Sequence, residues 1–205
     1  KAIRRQRQMC IRDSIYDCVR NFEDWGEYPN NIINEEKWLI NQCDCVFTDS
    51  YYLTDKISKS SAKRFKQFLP LASDRWIEGC ESRAIPKKIL KVGYFGSLDS
   101  HIDTECLKEL VNQGYKVHVW GNVIADIDFK YSDHGFLSDL KVLAHEVTTT
   151  VDAIVLPYKG NMDGVIPAKL LQCLATNLPV FISIFYDSKA CLLYTSPSPR
   201  DSTSS

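Results

Sequence analysis

The sequence predicts an α/β fold built on parallel sheets. From residue 89 onward, short apolar runs alternate with amphipathic stretches, which is the pattern of βαβ units. Glycine or proline follows the first three of these runs, at Gly96, Gly121 and Pro157, where a strand would end. A shorter series of the same kind precedes residue 86, so we expect two α/β units joined by a linker.

The unit after residue 86 is predicted to contain four strands, at residues 89–95, 115–120, 152–156 and 179–184. Apolar residues at helical spacing predict three helices between them: Cys106, Leu107, Leu110 and Val111 in the first, Leu137, Leu140, Leu143, Ala144 and Val147 in the second, and Leu170, Leu171 and Leu174 in the third. Asp103 is the expected N-cap of the first helix, and Gly114 ends it. Pro167 is expected in the first turn of the third helix.

The unit before residue 86 is predicted to alternate in the same way. We expect a helix at residues 34–42, a strand at 45–48, a helix at 51–64 and a strand at 66–69. Residues 72–88 are interpreted as the linker, because they are interrupted by glycine and proline. The predicted boundary between the units lies near Pro86.

The two ends of the chain differ in composition from the middle. Residues 1–14 contain five basic residues, and residues 195–205 are a Thr/Ser/Pro string interrupted by an Arg-Asp pair. The stretches RQMCIRDS and CLLYTSPSPRDS resemble translated adapter sequence from DNA sequencing, of the kind that flanks fragments assembled from environmental DNA. We therefore expect residues 1–14 and 190–205 to contribute nothing to the fold.

Charge and composition restrict the class of protein. The 205 residues have a formal net charge of −1, and residues 15–189 alone have 19 basic and 24 acidic residues, a net charge of −5. Nucleic-acid binding usually requires a basic face, so no nucleic-acid partner is expected. No run approaches the roughly 20 apolar residues of a membrane span, and no signal peptide is evident, which favours a cytoplasmic location. The eight cysteines are interpreted as reduced thiols without a metal-binding pattern.

The candidate site lies at the carboxyl ends of the predicted strands, where open parallel sheets bind ligands. Gly96 and Ser97 follow the first strand, where backbone amides can approach a phosphate. The loop at residues 159–165 leads into a helix whose N-terminus would favour a diphosphate or the hydroxyls of a sugar. Lys169 lies just inside that helix, and the alternative interpretation is a solvated surface lysine.

The histidines and the aromatic residues at strand ends have simpler interpretations. His118 lies within a strand and is expected to be structural, whereas His101, His134 and His145 are expected at the surface. Only His101 is near the candidate site. The strand-end aromatic residues are interpreted as packing residues: Tyr94, Trp120 and Tyr158.

The order of these motifs resembles that of a known enzyme family. The segments concerned are Gly93 to Leu98, Ile102-Asp103, Val117 to Gly121, Asp152 to Tyr158, the string Pro-Ala-Lys-Leu-Leu-Gln at 167–172, and Leu-Pro-Val at 178–180. In this order they resemble the C-terminal donor-binding domain of retaining GT-B-type glycosyltransferases (family 1/4-like). Residues 16–19, 45–50 and 69–74 look like the last part of the partner domain.

The resemblance covers residues 15–189 and implies a domain organisation. Residues 86–189 would form a truncated, Rossmann-like domain that binds the nucleotide-sugar donor. Residues 15–85 would be the remnant of an N-terminal, acceptor-side α/β domain.

The resemblance also implies a role for each residue of the candidate site. Amides at Gly96 and Ser97 would contact the diphosphate, and Lys169 would be the catalytic residue that neutralises this leaving group. The other donor-binding residues would be Gln172 at the ribose, main-chain groups of Gly135 and Phe136 at the base, and Gly164 with Val165 in the loop before the helix.

Two positions depart from the family pattern. Gln172 stands where the family commonly has a glutamate that binds the ribose hydroxyls, and Gly164 stands where the wider family has a second glutamate. Glutamine still hydrogen-bonds a diol, but it loses the charge-assisted contact and about 1 kcal/mol with it.

We therefore expect part of a glycosyltransferase that moves a hexosyl group, with retention, from a nucleotide sugar to a glycan or lipid-linked acceptor in polysaccharide biosynthesis. The nucleotide sugar is the substrate, and no cofactor or metal is expected. Two alternatives stay open: a nucleotide-sugar epimerase of the same fold, and a non-catalytic nucleotide-binding or interaction module. Besides the cytoplasmic location, peripheral attachment to the inner face of the membrane through a missing N-terminal half stays open.

Overall fold

The computed structural model describes residues 14–23, 28–60, 64–68, 70–84, 86–161 and 166–185. The chain divides into two compact units. The first contains the described residues between 14 and 68, and the second consists of Pro70–Gly160 and Pro167–Phe185. Each unit is built on its own parallel sheet, as the sequence predicts.

The first unit has a three-stranded sheet in the order β1-β2-β3 with parallel pairing throughout. Its elements in chain order are β1 (Ile15–Cys18), α1 (Asn30–Gln42), β2 (Cys45–Thr48), α2 (Tyr51–Ser60) and β3 (Arg64–Gln67). The predicted strand at 45–48 is confirmed. Helix α1 begins earlier than predicted, because Pro29 adopts an extended conformation and provides a natural start.

Helix α1, helix α2 and the sheet of the first unit share a small apolar core. The core consists of Cys18, Cys43, Val46, Leu53 and Ile57, with Tyr16 and Ile40 packed against it. The six cysteines that the structure describes are all free, and three of them are buried. They act as small apolar side chains, which is the usual role of buried free cysteine.

The second unit has a five-stranded sheet in the order β6-β5-β4-β7-β8. The strands are β4 (Lys91–Phe95), β5 (Lys116–Trp120), β6 (Ser132–Asp133), β7 (Ala153–Asn161) and β8 (Val180–Phe185). Strand β4 pairs in parallel with β5 and β7, and β5 pairs in parallel with β6. The four predicted strands are confirmed, although β7 continues into residues predicted as loop and the short β6 was not predicted.

Four helices belong to the second unit: α3 (Asp74–Gly79), α4 (Thr104–Asn112), α5 (Leu140–Thr150) and α6 (Ala168–Leu174). The prediction that Asp103 caps α4 is confirmed, since its Oδ1 accepts a hydrogen bond from the Cys106 amide at 3.2 Å. Asp139 caps α5 through the Lys141 amide at 2.9 Å. Pro167 occupies the N-cap of α6 rather than the predicted first turn, and its backbone is extended.

The predicted linker is largely part of the second unit. Helix α3 lies within it, and the fully buried Trp76 ring packs in a tilted orientation against the Phe95 ring, with the ring centroids 4.8 Å apart. The Trp76 Nε1 donates to the Gln172 carbonyl at 2.8 Å, and Gly79 packs directly on the backbone carbonyl of Lys141. The predicted boundary near Pro86 therefore falls inside a compact unit, and the units divide after Leu69 instead.

The chain ends that were expected to lie outside the fold fall almost entirely outside the described residues. The exception is Ser14, whose amide donates to Asp44 Oδ2 at 2.8 Å and whose carbonyl accepts from the Asp44 amide at 2.9 Å. Ser14 thus extends the hydrogen bonding at the start of β1, which corrects the prediction for this residue.

Candidate functional site

Three loops lie side by side at the carboxyl ends of β4, β5 and β6. The Gly96 amide donates to the Trp120 carbonyl at 2.7 Å, and the Leu98 amide donates to the Asn122 carbonyl at 2.9 Å. On the other side, the Gly121 amide donates to the Gly135 carbonyl at 2.9 Å. The sheet hydrogen bonding therefore continues into the loops, which gives this edge of the sheet a fixed backbone surface.

Two glycines allow the first two loops to come this close. Gly121 has φ of 147°, and a Cβ at this residue would overlap the Gly96 carbonyl. Gly96 has φ of 125°, and a Cβ at this residue would lie 2.5 Å from Lys169 Nζ. Both conformations disfavour any residue with a side chain. The backbone of the Gly96 loop is thus contacted by β5 on one side and by a lysine ammonium on the other.

Lys169 brings a positive charge to this edge of the sheet. It lies in the first turn of α6, and its Nζ is 5.9 Å from the centroid of the fully buried Tyr94 ring. The structure thus places together Gly96 and Lys169, two of the residues that the motif order singled out. The interpretation of Lys169 as a solvated surface lysine is wrong, because its side chain is partly buried against the Gly96 loop.

The Lys169 ammonium has no hydrogen-bond or ion-pair partner among the described residues. Burial lowers the pKa of Lys169, while the charge of Asp99 opposes this shift. A buried charge without a partner is unfavourable, and an anion that reached Nζ would offset that cost. The site is therefore suited to a negatively charged ligand.

The loop after β4 is also attached to β7. Ile102 pairs with Tyr158 in an antiparallel bridge, and the Asp103 amide donates to the Pro157 carbonyl at 2.7 Å. The Lys159 amide donates to the His101 carbonyl at 2.8 Å. His101 therefore takes part in the loop backbone near the site. Tyr158 packs beside it as a buried residue, as predicted.

The backbone amides at Gly96 and Ser97 are not equivalent. The Gly96 amide is used by the Trp120 carbonyl, so it cannot also serve a phosphate without breaking that bond. The Ser97 amide has no acceptor within the described part of the chain. Of the two predicted amide donors, Ser97 is therefore the one that a ligand can use.

The predicted ribose-binding residue lies on the same helix as Lys169. Gln172 is partly buried one turn further along α6, and its carbonyl accepts from Trp76 Nε1. Its side-chain amide makes no hydrogen bond to residues that the structure describes. Gly164 and Val165, the other predicted residues of this region, lie outside the described residues.

The predicted base-binding segment follows β6. Both main-chain groups of Gly135 are engaged, because its carbonyl accepts from Gly121 and its amide donates to Asp133 Oδ1 at 2.8 Å. The Phe136 side chain is 65% exposed. A ligand can therefore approach Phe136 more readily than the backbone of Gly135.

The sequence missed a stack of three rings beside this segment. The His134 ring lies 4.3 Å from the Trp120 ring at an interplanar angle of 14°, and His118 Nδ1 is 2.9 Å from His134 Nε2. His118 is structural, as predicted, whereas His134 is not the surface histidine that was expected. The stack arises because β6 is parallel to β5, which was not apparent from a two-residue strand.

The described residues contain no group of three side chains that could hold a metal ion. Nor do they include a helix with the length and apolar character needed to cross a membrane.

Comparison with known proteins gives structural matches only. No protein-family model matches the sequence, and no curated protein matches it significantly. The structure of HepE from Anabaena in complex with UDP and glucose matches with a TM-score of 0.59 at 11% identity, over 95% of this chain and 64% of HepE. HepE in complex with UDP-glucose gives a TM-score of 0.58 at 12% identity, over 90% and 62%. The apo form of the lipopolysaccharide outer core galactosyltransferase WaaB gives 0.50 at 16% identity, over 78% and 45%.

These matches define the class of fold. The chain has the Rossmann-like parallel-sheet architecture of GT-B glycosyltransferases, in agreement with the resemblance that its motif order suggests. It spans no more than 64% of the length of these solved structures.

Proposed function

We propose that this chain is part of a glycosyltransferase that transfers a sugar from a nucleotide-sugar donor, and that its second unit binds the donor. The observation that carries the proposal is the partly buried Lys169 ammonium, which has no hydrogen-bond or ion-pair partner among the described residues and touches the glycine loop at the carboxyl ends of the strands. A diphosphate supplies the anion that such a site requires. The fold agrees with this assignment, since the matching structures of HepE are complexes with UDP and glucose or with UDP-glucose.

The proposed chemistry is the loss of a diphosphate from the anomeric carbon. As the bond from that carbon to the phosphate oxygen breaks, its electron pair goes to the diphosphate. A new bond forms from that carbon to an acceptor hydroxyl oxygen, and the proton of this hydroxyl passes to the departing phosphate oxygen. Lys169 and the Ser97 amide would stabilise the growing negative charge, which is the largest contribution that fixed donors make to such reactions. Transfer with retention at that carbon is part of the proposal, and no protein nucleophile is assigned.

The other residues would bind the remaining parts of the donor. Gln172 would hydrogen-bond the ribose, and Phe136 with the main chain beside it would contact the base. Gly164 and Val165 would line the approach to α6. The nucleotide sugar enters as substrate, and no cofactor is included.

The first unit would be the remaining portion of an acceptor-side domain. Its parallel sheet also has a carboxyl edge, where Asp49 follows β2 and Asp17 lies near the end of β1. A glycan or a lipid-linked glycan is the proposed acceptor. We propose a cytoplasmic location, with peripheral membrane association for the acceptor step.

Calorimetric titration of the full chain with UDP tests the donor site. Lys169→Ala should weaken UDP binding by about 1–3 kcal/mol, roughly five- to 150-fold in Kd, because it removes a charge-assisted hydrogen bond. Lys108→Ala is the matched control, since Lys108 forms ion pairs with Glu105 and Asp128 on the surface.

Other nucleoside diphosphates should be titrated in the same way to identify the base. Failure of the folded protein to bind any of them, or equal binding by the wild type and Lys169→Ala, would contradict the assignment of the site.

A further inference from the structure

Tyr94 lies beneath both of the groups assigned to the diphosphate. It belongs to β4, the middle strand of the five-stranded sheet, and its side chain is fully buried. Its hydroxyl donates a hydrogen bond to the Ser97 carbonyl at 2.9 Å. The Lys169 Nζ is 5.9 Å from the centroid of its ring, within the range of a cation–π contact. One side chain therefore contacts the loop and the lysine together.

The hydroxyl of Tyr94 binds Ser97, a loop residue whose amide forms no hydrogen bond with the rest of the described chain. Gly96 and Leu98 are held by hydrogen bonds of their amides to Trp120 and Asn122. Ser97, between them, is held through its carbonyl by Tyr94. Because hydrogen bonds hold both neighbouring residues and the Ser97 carbonyl, the Ser97 amide has a defined direction. No group in the described chain accepts a hydrogen bond from this amide.

The Tyr94 hydroxyl is suited to a permanent structural bond. Burial raises the pKa of Tyr94, so the hydroxyl keeps its proton at neutral pH. The same hydroxyl would lie 3.3 Å from a Cβ placed on Gly96, so it also closes the space beneath the glycine. Packing at a strand end, the role predicted from the sequence, is therefore only part of what this residue does.

We infer that Tyr94 is a positioning residue, which holds the Ser97 amide and the Lys169 ammonium in the arrangement that receives the diphosphate. This inference rests on the proposed function for its ligand. It differs from a purely structural role in one respect: the loss of the hydroxyl should affect binding of the diphosphate and leave recognition of the nucleoside unchanged.

The test compares Tyr94→Phe with the wild-type full chain. Tyr94→Phe keeps the ring under Lys169 and removes only the donor to Ser97, so UDP binding should weaken about threefold to tenfold, the effect of one hydrogen bond. Binding of uridine, measured by ligand-observed NMR, should be unchanged. The control is Tyr16→Phe, which removes a hydrogen bond of 2.8 Å to Glu36 in the first unit and should leave UDP binding unchanged.

Hydrogen exchange provides a second measurement that needs no ligand. In Tyr94→Phe the Leu98 amide should exchange faster, because the loop loses the bond at Ser97, whereas the Leu107 amide in α4 should not change. Unchanged exchange at Leu98, or equal losses of UDP and uridine binding, would overturn the positioning role. Faster exchange at Leu98 in a protein whose wild type binds no UDP would support the loop attachment and reject the diphosphate function, so the two failures are distinguishable.

Discussion

At the scale of single residues, the backbone of Gly121 allows the loops after β4 and β5 to touch. Gly121→Ala should lower the free energy of unfolding by about 3 kcal/mol, because the new Cβ meets the Gly96 carbonyl and φ of 147° is strained for alanine. Gly114→Ala is the control, since Gly114 has φ of 90° but open space around it, and about 1 kcal/mol is expected. Urea denaturation measures both. Equal losses would show that backbone conformation alone, rather than the contact with Gly96, makes Gly121 necessary.

A second prediction at this scale concerns Gln172. If its side chain binds the ribose, Gln172→Glu should strengthen UDP binding by about 1 kcal/mol, because a carboxylate is a stronger acceptor for the two hydroxyls. Gln113→Glu, at the exposed end of α4, is the control for the added charge. Calorimetry with UDP and with 2′-deoxy-UDP distinguishes the cause, since the gain should disappear when the 2′-hydroxyl is absent.

The residues of the site could be predicted from the sequence only where they stand in a motif. The positions of Gly96 and Lys169 follow from the order of strands and loops, because parallel strands bring their carboxyl ends together. The bond from Tyr94 to Ser97 could not be predicted, since a buried aromatic residue in a strand has the same pattern whether its hydroxyl is used or not. The hydrogen bond from the Gly96 amide to the Trp120 carbonyl depends on strand register, which no short sequence pattern predicts.

At the scale of secondary-structure elements, the pairing of β5 with β6 should make stability depend on pH. Burial lowers the pKa of His118 below its usual 6.5, aided by the charges of His134, Lys91 and Lys116 and opposed by Asp152. The unfolded chain therefore binds a proton at a pH where the folded chain does not. Stability is fully present above about pH 6.5 and is lost as the pH falls below it.

Thermal denaturation at pH 7.5 and pH 5.5 measures this dependence. The decrease in Tm on acidification should be smaller for His118→Asn than for the wild type. The control is His145→Asn, on the exposed face of α5, which should keep the decrease of the wild type. An identical decrease in all three proteins would assign the pH dependence to other groups.

Helix α3 is the element that the sequence missed within the predicted linker. Trp76→Ala should lower the free energy of unfolding of the second unit by about 3–5 kcal/mol, because it empties a buried site beside Phe95 and removes the bond to the Gln172 carbonyl. Ile77→Ala on the same helix is the control, since Ile77 is 52% exposed and should cost far less. Chemical denaturation measures both changes, with unfolding monitored by far-ultraviolet circular dichroism rather than by tryptophan fluorescence.

The elements differ in how well the sequence predicts them. Strands β4 and β5 and helix α4 are bounded by clear signals, including the Asp103 cap, and were predicted to within a few residues. Helix α3 is too short for periodicity to appear, and its residues Trp76 and Gly79 are explained by packing on Phe95 and Lys141. Strand β7 continues past Pro157, although proline and glycine favour a loop there, because the turn after β4 hydrogen-bonds to it.

At the scale of the whole molecule, the two units should respond differently to the ligand. Binding to one unit stabilises that unit by mass action and leaves an independent unit unchanged. Saturating UDP should therefore slow hydrogen exchange at residues 92–98, 117–123 and 167–173 and leave residues 45–60 unaffected. Exchange measured by mass spectrometry tests this, with uridine as the control for the nucleoside. Protection confined to the first unit would contradict the proposal that the second unit binds the nucleotide.

The position of Lys169 on α6 has a consequence for folding. Gly96 and Lys169 touch in space, yet they are separated along the chain by three strands of the sheet and two helices. Contacts between such distant residues form late, because the intervening chain must be ordered first. A partly synthesised chain that ended before α6 would contain the Gly96 loop but would lack the Lys169 ammonium that contacts it. We therefore expect the ability to bind a nucleotide to appear only at the last stage of folding, so that ligand binding reports on completion of the unit.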